Sequence, residues 1–490
     1  MIRSGESLVC RLRGSRWFVL LGPAMVVVFL SLPGIGQGDF RTDSHVYVAV
    51  VVGMLDSGDW VHPMLGNVPY HNKPPMGMWM VMPFVAAMGP TLIAVRVAMI
   101  LIAALCASAV TGLSRELVSA RVAMTAGLVF GLTHEFFRYT HAFSLDLALT
   151  LFLVLSAWSV VHGAGIRRGE ARSGWWIVLG GVPMGLALMT KPMIGLLLVP
   201  VLIVWLVVVG RARMLGWMVG FLVVALMVAL PWHVEMMRAY PGGSLTAFVD
   251  TYVYAQSIDR LSSASTHVTE PWWYYGAEIG RSYVPWVVFL VGGLVWMGIR
   301  RRSVTGRWEG DALALLWVGI WIGVLSISGG KSMRYVVPAY PALALFVAGV
   351  LVHMPPRGRM TVVVLPWVVG VVGIIVAVLP VRIHSPKPES RAALFSFLDG
   401  YGEDGEWPVL WIAPDQVRTG AHFLIERGVY PSVVLSDVTP TGGVPGVGDL
   451  MLYRQPSVWA VREGDAVLGE FGVWVVTRVD RVWDGIELGE

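Results

Sequence analysis

Long apolar runs, separated by short turns that carry arginine, set the pattern of this chain. The runs lie at 17–33, 97–114, 122–137, 146–162, 174–189, 193–210, 214–231, 282–299, 311–328, 335–352 and 361–380. Each is close to the length that carries a helix across a hydrocarbon core, so they predict about eleven spans. A further run at 76–90 is apolar enough to cross but is expected to lie along the membrane interface, which sets the range at about 11–13 helices.

The basic residues orient these spans. Arg3–Arg16, Arg115–Arg121, Arg167–Arg172, Arg211–Arg213, Arg300–Arg307 and Arg357–Arg359 fall between runs so that an even number of crossings separates each from the next. Short loops rich in Lys and Arg stay in the cytoplasm, so this side is read as cytoplasmic and the N-terminus with it. The first run follows Arg11, Arg13 and Arg16 without a small-residue cleavage site and reads as an uncleaved helix. The outer segments are then 34–96, 138–145, 190–192, 232–281, 329–334 and the chain beyond 380. They also hold most of the rare polar residues.

Beyond Pro380 the pattern changes. Val409–Ile412, Ser432–Leu435, Leu450–Tyr453 and Val473–Val479 alternate as strands do, and Ala421–Gly428 has helical character. The expected organisation is a helical polytopic membrane domain over 1–384, with outer loops 34–96 and 232–281, followed by a small α/β domain over 385–490.

Composition agrees with lipid as the main solvent. Of 490 residues, 56% are hydrophobic and 14% charged, whereas soluble domains carry about 25% charged residues. The net charge of +4 reflects loop asymmetry and excludes a nucleic-acid partner. Cys10 and Cys106 lie in a basic tail and an apolar run, which leaves no disulfide framework. No glycine-rich phosphate loop follows a strand.

The polar residues of the outer segments form candidate chemistry. The first loop carries Asp43 and His45, then Tyr70, then Lys73-Pro74-Pro75. A carboxylate just outside a helix can orient or deprotonate a hydroxyl nucleophile. A lysine at headgroup depth can neutralise a lipid-linked phosphate. Arg138 precedes Asp146, which enters an otherwise apolar helix. Asp146 either stabilises that helix start through the macrodipole or adds a second carboxylate to the cavity of Asp43. Lys191, Lys331 and Arg334 sit in short outer turns against the charge bias; phospholipid headgroups or a donor phosphate would each account for them. Trp272 belongs to an aromatic run that suits either a membrane interface or a sugar ring.

Taken together, Asp43, Leu55–Trp60 and Pro69-Tyr-His-Asn-Lys-Pro-Pro-Met-Gly-Met-Trp79 resemble the first periplasmic loop of the bacterial polyprenyl-phosphate-sugar transferases. These are the lipid A aminoarabinose transferases and their relatives, the dolichyl-phosphate-mannose protein mannosyltransferases. Ser144-Leu-Asp146, Gly185–Lys191, Pro271–Tyr275 with Pro285-Trp286, and Lys331–Pro341 continue the resemblance in the family's order over about 17–352. It implies a GT-C fold and inverting transfer from a polyprenyl-phosphate-linked sugar to an envelope acceptor, which could be lipid A, protein or glycan. It also implies catalytic roles for Asp43 and Asp146 and carrier-phosphate contacts at Lys73 and Lys331. No cofactor is established by the resemblance and a divalent metal is compatible with it, although Ser44 stands where the family commonly has glutamate, which leaves the acid pair that would hold the metal incomplete.

The competing class is a secondary transporter or lipid-carrier flippase. Transporters bind near the bilayer midplane on broken helices in paired halves, whereas here the ionisable residues cluster at helix ends and the halves do not match. The expected enzyme sits in the bacterial inner membrane with its C-terminal domain periplasmic.

Overall fold

The computed structural model describes residues 16–36, 44–65, 68–70, 72–169, 173–239, 271–328 and 331–354, with five strands between 410 and 478. Two compact units result: Met1–Gln37 with Asn72–Gly77 and Arg96–Leu379, and Gly38–His71 with Met78–Val95 and Pro380–Glu490.

In chain order the helices begin with α1 (Arg16–Ser31), α2 (Ser44–Ser57), α3 (Met76–Met88), α4 (Leu92–Leu117) and α5 (Ala120–Gly131). There follow α6 (His134–Arg138), α7 (Leu145–Ala164), α8 (Gly174–Leu179), α9 (Gly181–Leu188), α10 (Pro192–Gly195) and α11 (Leu198–Val208). The last are α12 (Leu215–Ala239), α13 (Tyr274–Ser282), α14 (Trp286–Arg300), α15 (Trp308–Ile327) and α16 (Tyr340–His353), the last entered through a 3-10 turn at Met333–Ala339.

The first unit is a multi-pass membrane bundle. Among the described residues, Leu92–Leu117, Leu145–Ala164, Ala212–Ala239, Trp308–Ile327 and Met333–His353 are each long and apolar enough to span, and α13 with α14, bent by 119°, makes a sixth if taken as one broken crossing. Its centre is α16, buried along nearly its whole length and packed on α5, α14 and α15. Toward the edge, α12 and α14 turn stripes outward, Val219, Val223 and Met227 on one and Val288, Val291, Val295 and Ile299 on the other. An apolar stripe left bare along a span is what hydrocarbon requires. Close approach between helices comes from small residues. A Cβ on Gly185 of α9 would lie 2.5 Å from Val228 Cβ and 2.7 Å from the Ala225 carbonyl of α12.

Ten of the expected spans coincide with these helices; the one at 361–380 lies outside the described residues. Several are broken in ways apolarity does not mark. The run 122–137 stops at Gly131 and resumes at α6, 174–189 divides at Gly180, and 193–210 divides after Gly195. A loop after α14 is fixed by buried Asp311, which accepts the Val304 and Thr305 backbone N–H groups at 3.0 and 2.9 Å.

In the second unit the segment read as loop contains a helix. α2 buries His45 through Val52 and Met54. Its 14 residues span roughly 20 Å at 1.5 Å per residue, too short to cross and so without a span's signature. A hairpin follows, with β1 (Met64–Leu65) antiparallel to β2 (Val68–Pro69). The loop before it is closed by Asp59, which accepts the Val61 and His62 backbone N–H groups and pairs with the His62 ring at 2.8 Å. Trp79 Nε1 donates to the Trp60 carbonyl at 2.8 Å. The strands β3 (Leu410–Ile412), β4 (Val433–Leu435), β5 (Leu450–Arg454), β6 (Ala466–Phe471) and β7 (Trp474–Arg478) form one sheet in the order β4-β3-β5-β7-β6. The β4-β3-β5 half is parallel and the β5-β7-β6 half antiparallel. Four of these strands were expected and β6 was not; the expected helix at 421–428 and the boundary at 384/385 lie outside the described residues.

Candidate active site

The site in the first unit is built around a turn. α9 ends with Met189 and Thr190, whose N–H groups bond back to Gly185 and Ala187, and Thr190 Oγ1 donates to the Leu186 carbonyl at 2.9 Å. Pro192 opens α10 and holds Lys191 before it in an extended conformation, with φ −150° and ψ 91°.

Two other segments meet this turn. Pro74 and Pro75 are buried, and a pair of prolines leaves the chain after Lys73 without N–H donors. The first free donor, Met76 N–H, bonds to the Met189 carbonyl at 3.2 Å. Gly77 fits because a Cβ there would lie 2.3 Å from Leu145 Cδ2 at the start of α7. Within the first turn of α7, Asp146 accepts a hydrogen bond from Lys191 Nζ at 2.7 Å. The two side chains are 2% and 11% exposed. The first turn of a helix is where the dipole favours negative charge.

Beside this pair lies the 3-10 entry to α16. Lys191 Nζ is 5.5 Å from the centre of the Tyr335 ring, within cation–π range. Tyr335 is held by Trp321 Nε1, which donates to its carbonyl at 2.8 Å, and Ser332 N–H donates to the Tyr275 hydroxyl at 3.1 Å. Lys331 Nζ donates to the Ser328 carbonyl at 2.6 Å. Arg334, half-buried, lies within electrostatic reach of Tyr139.

Tyr139 connects this cluster to α6. Burial pushes its phenol well above the ordinary tyrosine range; the charges of Asp146 and Glu135 push the same way, and Arg138 and Arg334 oppose them. Glu135 is buried and accepts Arg138 Nη1 on both oxygens, at 3.0 and 3.1 Å, while Arg138 itself is 49% exposed.

The structure therefore gathers Asp146, Lys191, the Lys73 segment, Arg334 and, through Tyr139, Arg138. Lys331 stands beside them on the entry to α16. His45 and Tyr70 are buried in the second unit, Trp272 is 76% exposed ahead of α13, and Asp43 lies outside the described residues. Sequence reading gave no role to Glu135, Tyr139 or Tyr335, or to Arg96. Arg96 is buried in α4 and donates to the carbonyls of His141, Gly34 and Ile35 at 3.3, 3.2 and 2.9 Å. The available signal was an arginine at the edge of an apolar run. Among the described residues, no three His, Cys, Asp or Glu side chains are grouped to hold a metal ion.

Residues 72–234 match the family model described as dolichyl-phosphate-mannose-protein mannosyltransferase. The chain is 29% identical over 353 residues to the undecaprenyl phosphate-alpha-4-amino-4-deoxy-L-arabinose arabinosyl transferase 1 of Pseudomonas fluorescens Pf0-1, covering 69% of this chain and 58% of the relative. It is 27% identical over 333 residues to the corresponding transferase of Pseudomonas aeruginosa LESB58, covering 66% and 58%. This chain thus spans little more than half the length of the curated relatives it matches. Among solved structures, ArnT from Cupriavidus metallidurans bound to undecaprenyl phosphate superposes with a TM-score of 0.71 at 18% identity, covering 95% of this chain and 98% of that one. The archaeal oligosaccharyltransferase AglB from Archaeoglobus fulgidus gives 0.57 at 12% identity, covering 88% and 66%. The fold is that of the GT-C membrane glycosyltransferases. The curated relatives the chain matches are named as aminoarabinose transferases, while the family model over 72–234 is described as a mannosyltransferase.

Proposed function

We propose that this protein is an integral-membrane glycosyltransferase that moves a sugar from a polyprenyl-phosphate carrier to a hydroxyl or phosphate of an envelope molecule, with inversion. The observation that carries this reading is the convergence of the Lys73 segment, the Lys191 turn and the Arg334 segment on one end of the bundle. Relatives named as undecaprenyl phosphate aminoarabinose transferases support the same donor class.

The reaction is a single displacement. The acceptor oxygen forms a bond to the anomeric carbon as the bond from that carbon to the carrier phosphate breaks. The leaving polyprenyl phosphate keeps the electron pair, and the acceptor proton passes to Asp43. Lys73 and the cations of the 331–334 segment face the charge that grows on the phosphate, which is the largest available source of transition-state stabilisation. Asp43 orients the acceptor. The proposed setting is the bacterial inner membrane, with the N-terminus cytoplasmic and the region beyond 380 periplasmic.

The test is purified protein in lipid, supplied with undecaprenyl-phosphate aminoarabinose and, in turn, lipid A, a protein and a glycan acceptor, with no ion gradient. Release of undecaprenyl phosphate coupled to gain of the sugar by one acceptor is the expected result. If neither this donor nor a hexose or pentose counterpart is consumed, the reading fails. Asp43→Asn retaining full transfer would remove Asp43 from the mechanism.

A further inference from the structure

We infer that Asp146 is a positioning residue whose effect on the reaction passes through Lys191, and that the pair braces the site instead of touching donor or acceptor. The inference rests on the transferase reading above. A catalytic carboxylate must reach a reacting atom, but the Asp146 side chain is 2% exposed and Oδ1 already holds Lys191 Nζ at 2.7 Å. A carrier phosphate that drew Lys191 away from Asp146 would leave this carboxylate without its partner inside the protein, where an uncompensated charge is strongly unfavourable.

The connections of Lys191 fit a brace. Through Asp146 it is fastened to the start of α7. Two residues before it, the Met189 carbonyl takes the Met76 N–H that follows Lys73-Pro-Pro. Its ammonium lies under Tyr335, next to Arg334 in the chain. One neutral pair thus fixes the spacing between the segment of Lys73 and the segment of Lys331 and Arg334, which carry the proposed phosphate-facing cations. Lys73 is half-buried, whereas Lys191 is 11% exposed and held by Asp146.

A double-mutant cycle with the full-length protein in lipid separates this from independent catalytic roles. Wild type, Asp146→Asn, Lys191→Gln and the double variant are compared for kcat, donor KM and thermal midpoint. Each single variant leaves one buried charge unpaired and is expected to lose about 30-fold or more in kcat, with a lower midpoint and donor KM within about twofold. The double variant, with no orphaned charge, is expected to exceed both singles in kcat and midpoint. Losses that multiply in the double variant, together with a donor KM that rises in Lys191→Gln, overturn the inference and return Lys191 to the phosphate and Asp146 to the chemistry. A wild-type protein without transfer sinks the transferase reading, whereas midpoints that add independently on the same four proteins sink the brace.

Discussion

Met76 N–H donates to the Met189 carbonyl at 3.2 Å, so the segment that ends in Lys73-Pro-Pro is tied by its first free donor to the turn that carries Lys191. Proline fits the first turn of a helix but brings no N–H. Met76→Pro at the start of α3 should therefore keep the helix and remove the tie. The expected outcome is a transfer rate reduced about tenfold, the scale of one hydrogen bond, with little change in thermal midpoint. Unchanged kinetics would show that the tie does not set the position of Lys73.

Lys73 itself is predicted to act on the donor. Lys73→Gln should raise donor KM and lower kcat/KM by more than tenfold, or about 1.4 kcal/mol or more of transition-state stabilisation. Acceptor KM should stay unchanged. Lys73→Arg keeps the charge on a different shape and should recover only part of the loss. An effect confined to acceptor KM would move Lys73 to the other substrate.

The spans were legible because lipid leaves a helix no alternative to a continuous apolar face. What lay below that scale was hidden. α2 is too short to read as a span, and its apolar stretch is bounded by Asp43 and Asp56, so the whole of 34–96 looked like a polar loop. The divisions at Gly180 and after Gly195 fall inside uninterrupted apolar sequence. At the site, Lys191 and Asp146 were each visible as charges out of place, but their pairing across 45 positions is a tertiary fact that no local pattern encodes. Arg96 is similar: its three carbonyl partners come from the end of α1 and the turn before α7.

Tyr139 supplies a pH dependence with a definite sign. Burial raises its phenol above the ordinary value of 10.0, so the folded state holds the proton more tightly than the unfolded chain. Its contribution to stability is then complete below about pH 10 and is lost as pH rises through the higher folded value. Thermal midpoints of wild type and Tyr139→Phe should run parallel from neutrality to about pH 10 and diverge above it, with wild type falling more steeply. Parallel curves across the alkaline range would remove Tyr139 as the cause.

At Gly185 the close approach of α9 and α12 leaves no room for a methyl group, since an added Cβ meets the Ala225 carbonyl as well as Val228. Backbone cannot step aside as a side chain can. Gly185→Ala should thus lower stability by about 1–3 kcal/mol despite alanine's better helix propensity. The shift should appear as an earlier melting transition by size-exclusion fluorescence. A more stable variant would mean the helices are further apart than described.

Arg96 offers the sharpest separation of structure from chemistry. Its buried guanidinium donates to Gly34, Ile35 and His141 at once, joining the end of α1 to the approach of α7. Lysine presents a point charge instead of a planar fork and cannot hold three carbonyls in that geometry. Arg96→Met leaves those carbonyls without this donor, at about 1–3 kcal/mol for each that stays buried and unpaired. Both Arg96→Lys and Arg96→Met should therefore reduce the yield of folded protein and the thermal midpoint, the methionine variant more. Because Arg96 bonds backbone instead of substrate, the surviving folded fraction should bind donor with wild-type KM. A large rise in donor KM at unchanged thermal midpoint would instead make Arg96 part of the phosphate site.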